Sequence, residues 1–133
     1  MDKMSLPNFL CIGASKSGTT TLYEILKQHP EIDVSSFKEP GFFDNKKNWD
    51  KGIEWYERVY FSKSTKKVIG EFTPTYLSSK NCPNRIKESL GANVKFIVLL
   101  RNPIERAYSH YLHTKRDEFE ELEFMSALKQ ESN

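Results

Sequence analysis

Gly13-Ala14-Ser15-Lys16-Ser17-Gly18-Thr19-Thr20-Thr21 joins the apolar run Phe9-Leu10-Cys11-Ile12 to an amphipathic segment. That order predicts a strand, a tight glycine-flanked loop and a helix start, with a lysine and several hydroxyls gathered where the loop closes. Such a junction is an anion cradle. Amide N–H groups at a helix N-terminus, backed by the helix dipole, hold a phosphate-like group, and Lys16 adds a mobile positive charge. An ATP-type phosphate loop ends Gly-Lys-Ser/Thr. Here the lysine comes two residues before the second glycine, and three threonines follow that glycine.

Around this loop, 133 residues give one domain, with enough chain for a core but little for a complete α/β enzyme. Charged residues make up 29% and the formal net charge is +2. A balance this even argues against a nucleic-acid partner or an anionic membrane surface, so an anion site has to be local. Cys11 falls in a predicted strand and Cys82 in a predicted turn. Neither a disulfide framework nor a metal cluster follows from two such cysteines, and their use fits a reducing, cytoplasmic compartment. Pro7 and Asn8 interrupt any signal-peptide pattern, and no apolar run approaches the ~20 residues of a membrane span. A piece excised from an enzyme of the Golgi lumen would read the same way.

No internal repeat or low-complexity block is present. A helix is predicted near Thr20–Gln28, with Leu22, Ile25 and Leu26 on one face and His29-Pro30 as its stop. Glu31–Val34 reads as a short strand and Lys38–Asp44 as a loop set by Pro40 and Gly41. Trp49–Phe61 is predicted as one helix, and Val68–Phe72 as a strand ending at Thr73-Pro74. A short helix follows Pro83 and stops at Gly91. Val94–Leu100 is nearly all apolar, the pattern of a central parallel strand buried on both faces. Asn102-Pro103 opens the next helix, whose buried stripe is Ile104, Ala107, Tyr108, Tyr111 and Leu112. A last acidic helix spans Phe119–Lys129. Strands alternating with helices define an α/β fold, three layers with a central parallel sheet flanked by helices.

Arg101 closes the Val94–Leu100 strand, on the edge where open α/β sheets bind ligands. Ser109 lies two turns into the following helix, on the flank beside Glu105 and His113. An arginine fork and a hydroxyl so placed can converge on one phosphate. A strand-end arginine paired with a carboxylate, beside a solvated serine, is the plainer alternative.

Lys-Ser-Gly-Thr-Thr-Thr near the N-terminus, followed by Arg-Asn-Pro-Ile-Glu-Arg-Ala-Tyr-Ser-His-Tyr after an apolar strand, resembles the sulfotransferase superfamily over residues 8 to 125. The resemblance implies a P-loop-like fold and 3′-phosphoadenosine 5′-phosphosulfate (PAPS) as sulfuryl donor. By position, Lys16, Ser17, Gly18, Thr19, Thr20 and Thr21 would hold its 5′-phosphosulfate, and Arg101 and Ser109 its 3′-phosphate. The family's domain is longer, with later strands, acceptor-binding helices and a basic glycine-containing segment. Residues 1–133 are thus expected to be the N-terminal part of one sulfotransferase domain, its fold incomplete and its free sheet edge open to self-association.

Lys38-Glu39-Pro40-Gly41-Phe42-Phe43-Asp44, with Gly52-Ile53-Glu54-Trp55-Tyr56, looks like the branch holding heparan sulfate sulfotransferases and bacterial relatives. That likeness implies Glu39 as general base, accepting a proton from an acceptor alcohol or amine with its pKa tuned by burial. Read without the resemblance, Glu39 is a loop carboxylate paired with Lys38. His29 lies at a helix end, and His110 and His113 lie beside the 3′-phosphate motif, so none of the three is a natural base. Phe42 and Phe43 read as core or pocket wall. In Glu71-Phe72-Thr73-Pro74, Phe72 stands where glycosaminoglycan-modifying members carry a substrate-contacting lysine. Gly41 stands where some carry a histidine. Both departures take polar contacts from the acceptor side and argue against a highly sulfated polysaccharide.

Sulfuryl transfer asks for an in-line nucleophile and a stabilised leaving group, with little covalent work by the protein. Lys16 and the loop amides are expected to neutralise charge on the departing 3′,5′-bisphosphate. No metal is expected, because the sulfuryl group carries less charge than a terminal phosphoryl. The acceptor is expected to be a small molecule or a carbohydrate. Two alternatives remain: a non-catalytic PAPS-binding fragment or pseudoenzyme, and a nucleotide kinase or NTPase, against which the missing Gly-Lys-Ser/Thr order weighs.

Overall fold

A computed structural model describes residues 4–131. The outermost residues of the expected 1–133 domain range therefore lie outside the described residues. Four parallel strands form one sheet: β1 Phe9–Gly13, β2 Ile32–Val34, β3 Val68–Phe72 and β4 Lys95–Val98, in the order β2-β3-β1-β4. The helices are α1 Thr19–Lys27, α2 Lys46–Trp49, α3 Ile53–Tyr60, α4 Cys82–Leu90, α5 Pro103–Arg116 and α6 Phe124–Glu131, with a 3₁₀ turn at Pro74–Ser78.

Alternation along β1 makes the layers. Phe9 and Cys11 face one side with Phe72 of β3 and Tyr23 of α1. Leu10 faces the other, among Phe42, Phe43, Tyr56, Phe61, Ile69, Tyr76 and Ile86. The second cluster is largely aromatic, with Phe42 stacked on Tyr56 at 4.3 Å between ring centroids. The first is closed by edge-to-face pairs, Phe9–Phe72 at 6.0 Å and Tyr23–Phe72 at 5.5 Å. Gly70 is what lets the Phe9 ring lie flat on β3: a Cβ there would stand 2.0 Å from Phe9 Cζ.

Several expectations are corrected. The helix expected over Trp49–Phe61 begins only at Ile53, because Gly52 takes φ 84° before it, and a separate short α2 precedes that turn. Cys82 is the first residue of α4, and the Phe119–Lys129 helix begins only at Phe124, after Glu118 turns the chain at φ 62°. The largest difference concerns β4. Among the described residues it pairs with β1 alone and forms the sheet edge, while β1 takes the interior position. Its apolar run is therefore half bare, with Leu100 at 80% exposure. The stripe expected on α5 shares that fate: Tyr111 is buried, but Ile104 is 76% exposed and Tyr108 and Leu112 are also open. An apolar run records the preference of a face, and only the neighbouring elements decide whether that face is covered.

Candidate active site

The C-terminal ends of β1, β3 and β4 meet on one side of the sheet, and three loops rise from them. Ala14 N–H donates to Leu99 C=O at 2.8 Å, and Thr73 N–H donates to Cys11 C=O at 3.1 Å, so the strand ends are tied before they diverge. The first loop delivers Lys16 at φ 64° and Gly18 at φ 92° to the start of α1. Gly18 caps that helix without a side-chain hydrogen bond, and its first turn carries no acidic residue. The first-turn N–H groups consequently have no acceptor from their own helix or from the cap side chain.

Ser17 Oγ is buried and without a hydrogen-bond partner among the described residues. A buried hydroxyl left unpaired costs ~1–3 kcal/mol. The unpaired Ser17 hydroxyl and the uncapped first-turn amides of α1 leave hydrogen-bond donors of the kind that an anionic phosphate- or sulfate-like group takes up.

Lys16, Gly18, Thr19 and Thr20 line a cleft of about 280 Å³. Lys38 and Glu39, Thr75, and His110 and His113 of α5 line the same cleft. The structure thus gathers the loop lysine and the carboxylate that the sequence reading singled out. Ser17 and Thr21 lie in the same loop and helix without lining the cleft. Arg101 is drawn in by its backbone contact: Nη1 donates to the Lys16 carbonyl at 3.2 Å, across 85 positions of sequence. Its Nε also faces Glu105 Oε2 at 3.7 Å, the carboxylate pairing that the plainer reading foresaw. Ser109, partly buried on α5, lies outside the cleft lining. A second cleft of about 360 Å³, between α5 and α6, shares His110 but lies away from the strand ends. The chemistry of the loops, not size, marks the smaller one as the site.

Glu39 occupies the left-handed region at φ 57°, its N–H bonded to Phe72 C=O at 3.0 Å. Its carboxylate pairs with Lys38 Nζ. The burial expected for this carboxylate is not found, because the side chain is 48% exposed. Glu39 also lines a neighbouring depression of about 410 Å³ with Asp44, Asn45, Asn48 and Thr75. Phe72, placed by sequence on the acceptor side, is fully buried against Phe9 and Tyr23 instead.

Two features escaped the sequence reading. His110 and His113, expected beside the 3′-phosphate motif, line the cleft together with Lys16 and Glu39, and their i, i+3 spacing on α5 is the signal that puts both on one helix face. Glu71 was passed over as well. It is wholly buried in β3 and accepts hydrogen bonds from Tyr56 Oη, Thr73 Oγ1 and, at 3.2 Å, Tyr76 Oη. Burial pushes its carboxyl up to about 7, against those three hydrogen bonds, with the Asp44 charge adding to the rise. Burial and the Glu71 charge raise Tyr56 and Tyr76 in turn.

The described residues thus form an α/β sheet with an anion cradle after its first strand and a carboxylate-bearing loop lining the same cleft. Residues 6–131 match the sulfotransferase domain family, and the chain belongs to it. A Dictyostelium discoideum protein named membrane-associated sulfotransferase kil1 is 43% identical over 111 residues, 81% of this chain and 23% of that one. Human heparan sulfate glucosamine 3-O-sulfotransferase 5 is 36% identical over 106 residues, 80% of this chain and 30% of that protein. Mouse bifunctional heparan sulfate N-deacetylase/N-sulfotransferase 4 is 40% identical over 120 residues, 85% and 14%. The crystal structure of a sulfotransferase from Alicyclobacillus acidocaldarius superposes with a TM-score of 0.80 at 31% identity, covering 96% of this chain and 57% of that one. The chain therefore spans less than a third of these curated relatives.

Proposed function

We propose that residues 4–131 are the donor-side part of a single sulfotransferase domain, which transfers a sulfuryl group from PAPS to a hydroxyl or amine of an acceptor. The observation that carries this reading is one shared cleft: Lys16 at the α1 cradle and Glu39 line it together, and the unpartnered Ser17 hydroxyl lies in the same loop as Lys16. PAPS, when bound, supplies the sulfuryl group and a bisphosphate leaving group. Lys16 Nζ and the α1 amides place positive potential where leaving-group charge develops. Glu39 accepts the acceptor's proton, and release from Lys38 would free its carboxylate to do so. Arg101 and Ser109 are assigned to the 3′-phosphate by resemblance, and the Arg101–Lys16 bond supports a shared site. No metal has a part in this scheme.

For the acceptor we propose a carbohydrate or small alcohol seated in the depression on the Asp44 side of Glu39. Asn45, Asn48 and Thr75 there offer hydrogen bonds suited to hydroxyls. The names of the heparan sulfate relatives support a sugar. The unpaired, buried Cys11 and Cys82 favour a reducing compartment, hence the cytoplasm. Self-association through the bare β4 edge completes the proposal.

Incubation with sulfate-labelled PAPS and an oligosaccharide panel tests the reaction. Glu39→Gln should lower turnover by roughly 10²–10⁴-fold and leave 3′,5′-bisphosphoadenosine affinity within about twofold. Near-normal turnover of that variant would remove Glu39 as the base. A chain that binds the bisphosphate but never transfers label is the non-catalytic alternative. Tighter binding of ATP–Mg²⁺ than of the bisphosphate would favour the kinase reading.

A further inference from the structure

Beneath the Glu39 loop lies a buried polar network that the transfer reaction does not itself use. Thr73 Oγ1 accepts the Gly41 N–H at 3.2 Å, and Tyr76 Oη accepts both the Phe42 N–H at 2.9 Å and the Phe43 N–H at 3.3 Å. A hydroxyl that accepts from the backbone still has one proton to place. Both protons go to Glu71, Thr73 to Oε1 and Tyr76 to Oε2, and Tyr56 adds a third donor at Oε2. The carboxylate is thus the common acceptor that turns the lone pairs of two hydroxyls toward the loop. We propose that Glu71 is a positioning residue: through Thr73 and Tyr76 it holds the amides of Gly41, Phe42 and Phe43, and thereby fixes the loop that carries Glu39. The proposal rests on the reading of Glu39 as base.

A second observation supports it independently. Glu39 and Gly41 both sit at positive φ, 57° and 59°. A non-glycine residue in that region persists only where its surroundings over-determine it. On the strand side the Glu39 N–H is held by Phe72 C=O. On the far side the loop's next three amides all end on the Glu71 network. A buried carboxylate without a cationic partner costs the fold stability, and an isosteric neutral side chain would fill the same space. Glutamine, however, cannot replace it. Its amide offers two N–H donors where the network needs an acceptor, so at least one hydroxyl proton loses its partner and the lone pair facing the loop is turned away.

Amide hydrogen exchange of the whole chain, resolved by residue, tests this without requiring turnover. In Glu71→Gln the Gly41, Phe42 and Phe43 amides should exchange at least ~10-fold faster than in the parent, as expected for loss of one buried hydrogen bond. Amides of β1 and α1 should stay within about twofold of the parent. Glu71→Asp, which keeps the acceptor, should recover part of the loop protection. Tyr76→Phe should expose Phe42 and Phe43 but spare Gly41, and Thr73→Val the reverse. Unchanged loop exchange in Glu71→Gln overturns the proposal, and so does a loss shared equally by β1 and α1. Should Glu39→Gln keep its turnover, the base assignment falls while the exchange result stands.

Discussion

Glutamine at position 71 keeps the side chain's shape and removes its titration, and stability against pH then reads the buried carboxyl directly. Burial raises the Glu71 carboxyl from 4.5 to about 7. The folded chain therefore holds this proton more tightly than the unfolded chain does. The sign follows: the native state binds the extra proton between those two values, so stability falls as pH rises through the window and levels off above it. At about 1.4 kcal/mol per pH unit, the fall between pH 5 and pH 8 integrates to about 2.5 kcal/mol. The assay is urea unfolding of parent and Glu71→Gln at half-unit pH steps. Subtracting the variant removes the parallel titrations of the other carboxylates and of the histidines. The difference curve should decline by about 2.5 kcal/mol toward alkaline pH. A curve flat to within about 0.5 kcal/mol, or one that rises, would refute the argument that a desolvated carboxyl sits under the loop.

Three further outcomes follow from particular contacts. Lys16→Ala should weaken 3′,5′-bisphosphoadenosine binding by roughly 10- to 100-fold, the worth of a charge-assisted contact, as measured by titration calorimetry. Gly70→Ala drives a Cβ into the Phe9 ring and should cost about 1–3 kcal/mol in denaturant unfolding, with Phe9→Leu in the same chain recovering part of it. Leu100→Lys with Ile104→Lys should shift sedimentation toward the monomer at high protein concentration, since both side chains stand on the bare β4–α5 face.

The part of the fold carried by local chemistry was legible in the residues themselves. Gly13 and Gly18 punctuate the turn from β1 to α1, and Asn102-Pro103 starts α5 with the Asn102 side chain capping Ile104 and Glu105 as its position implies. The strand at Val68–Phe72 was read to the residue. Legibility ended where a neighbour decides the outcome. The pattern Val-Lys-Phe-Ile-Val-Leu-Leu is the same whether β4 has one neighbour or two, so its edge position was invisible. Glu71 failed for a related reason. A carboxylate in a strand reads as solvent-facing until Tyr56, from a helix 15 residues upstream, is brought onto it. Gly52 offered a break in its helix, but a glycine is equally tolerated within one at ~1 kcal/mol, and only its φ tells the two apart.

The backbone at positions 16 and 39 has a consequence for any effort to stabilise this chain. Lys16 and Glu39, the two side chains assigned the transfer chemistry, both occupy conformations that suit glycine, at φ 64° and 57°. Relieving each would gain the fold on the order of 1 kcal/mol. Selection for thermal endurance alone should therefore drift toward glycine at these two positions and erase the cleft's opposing charges. A library screened only for endurance would return hardier and inert proteins, whereas one screened for bisphosphate capture should keep Lys16 at that cost.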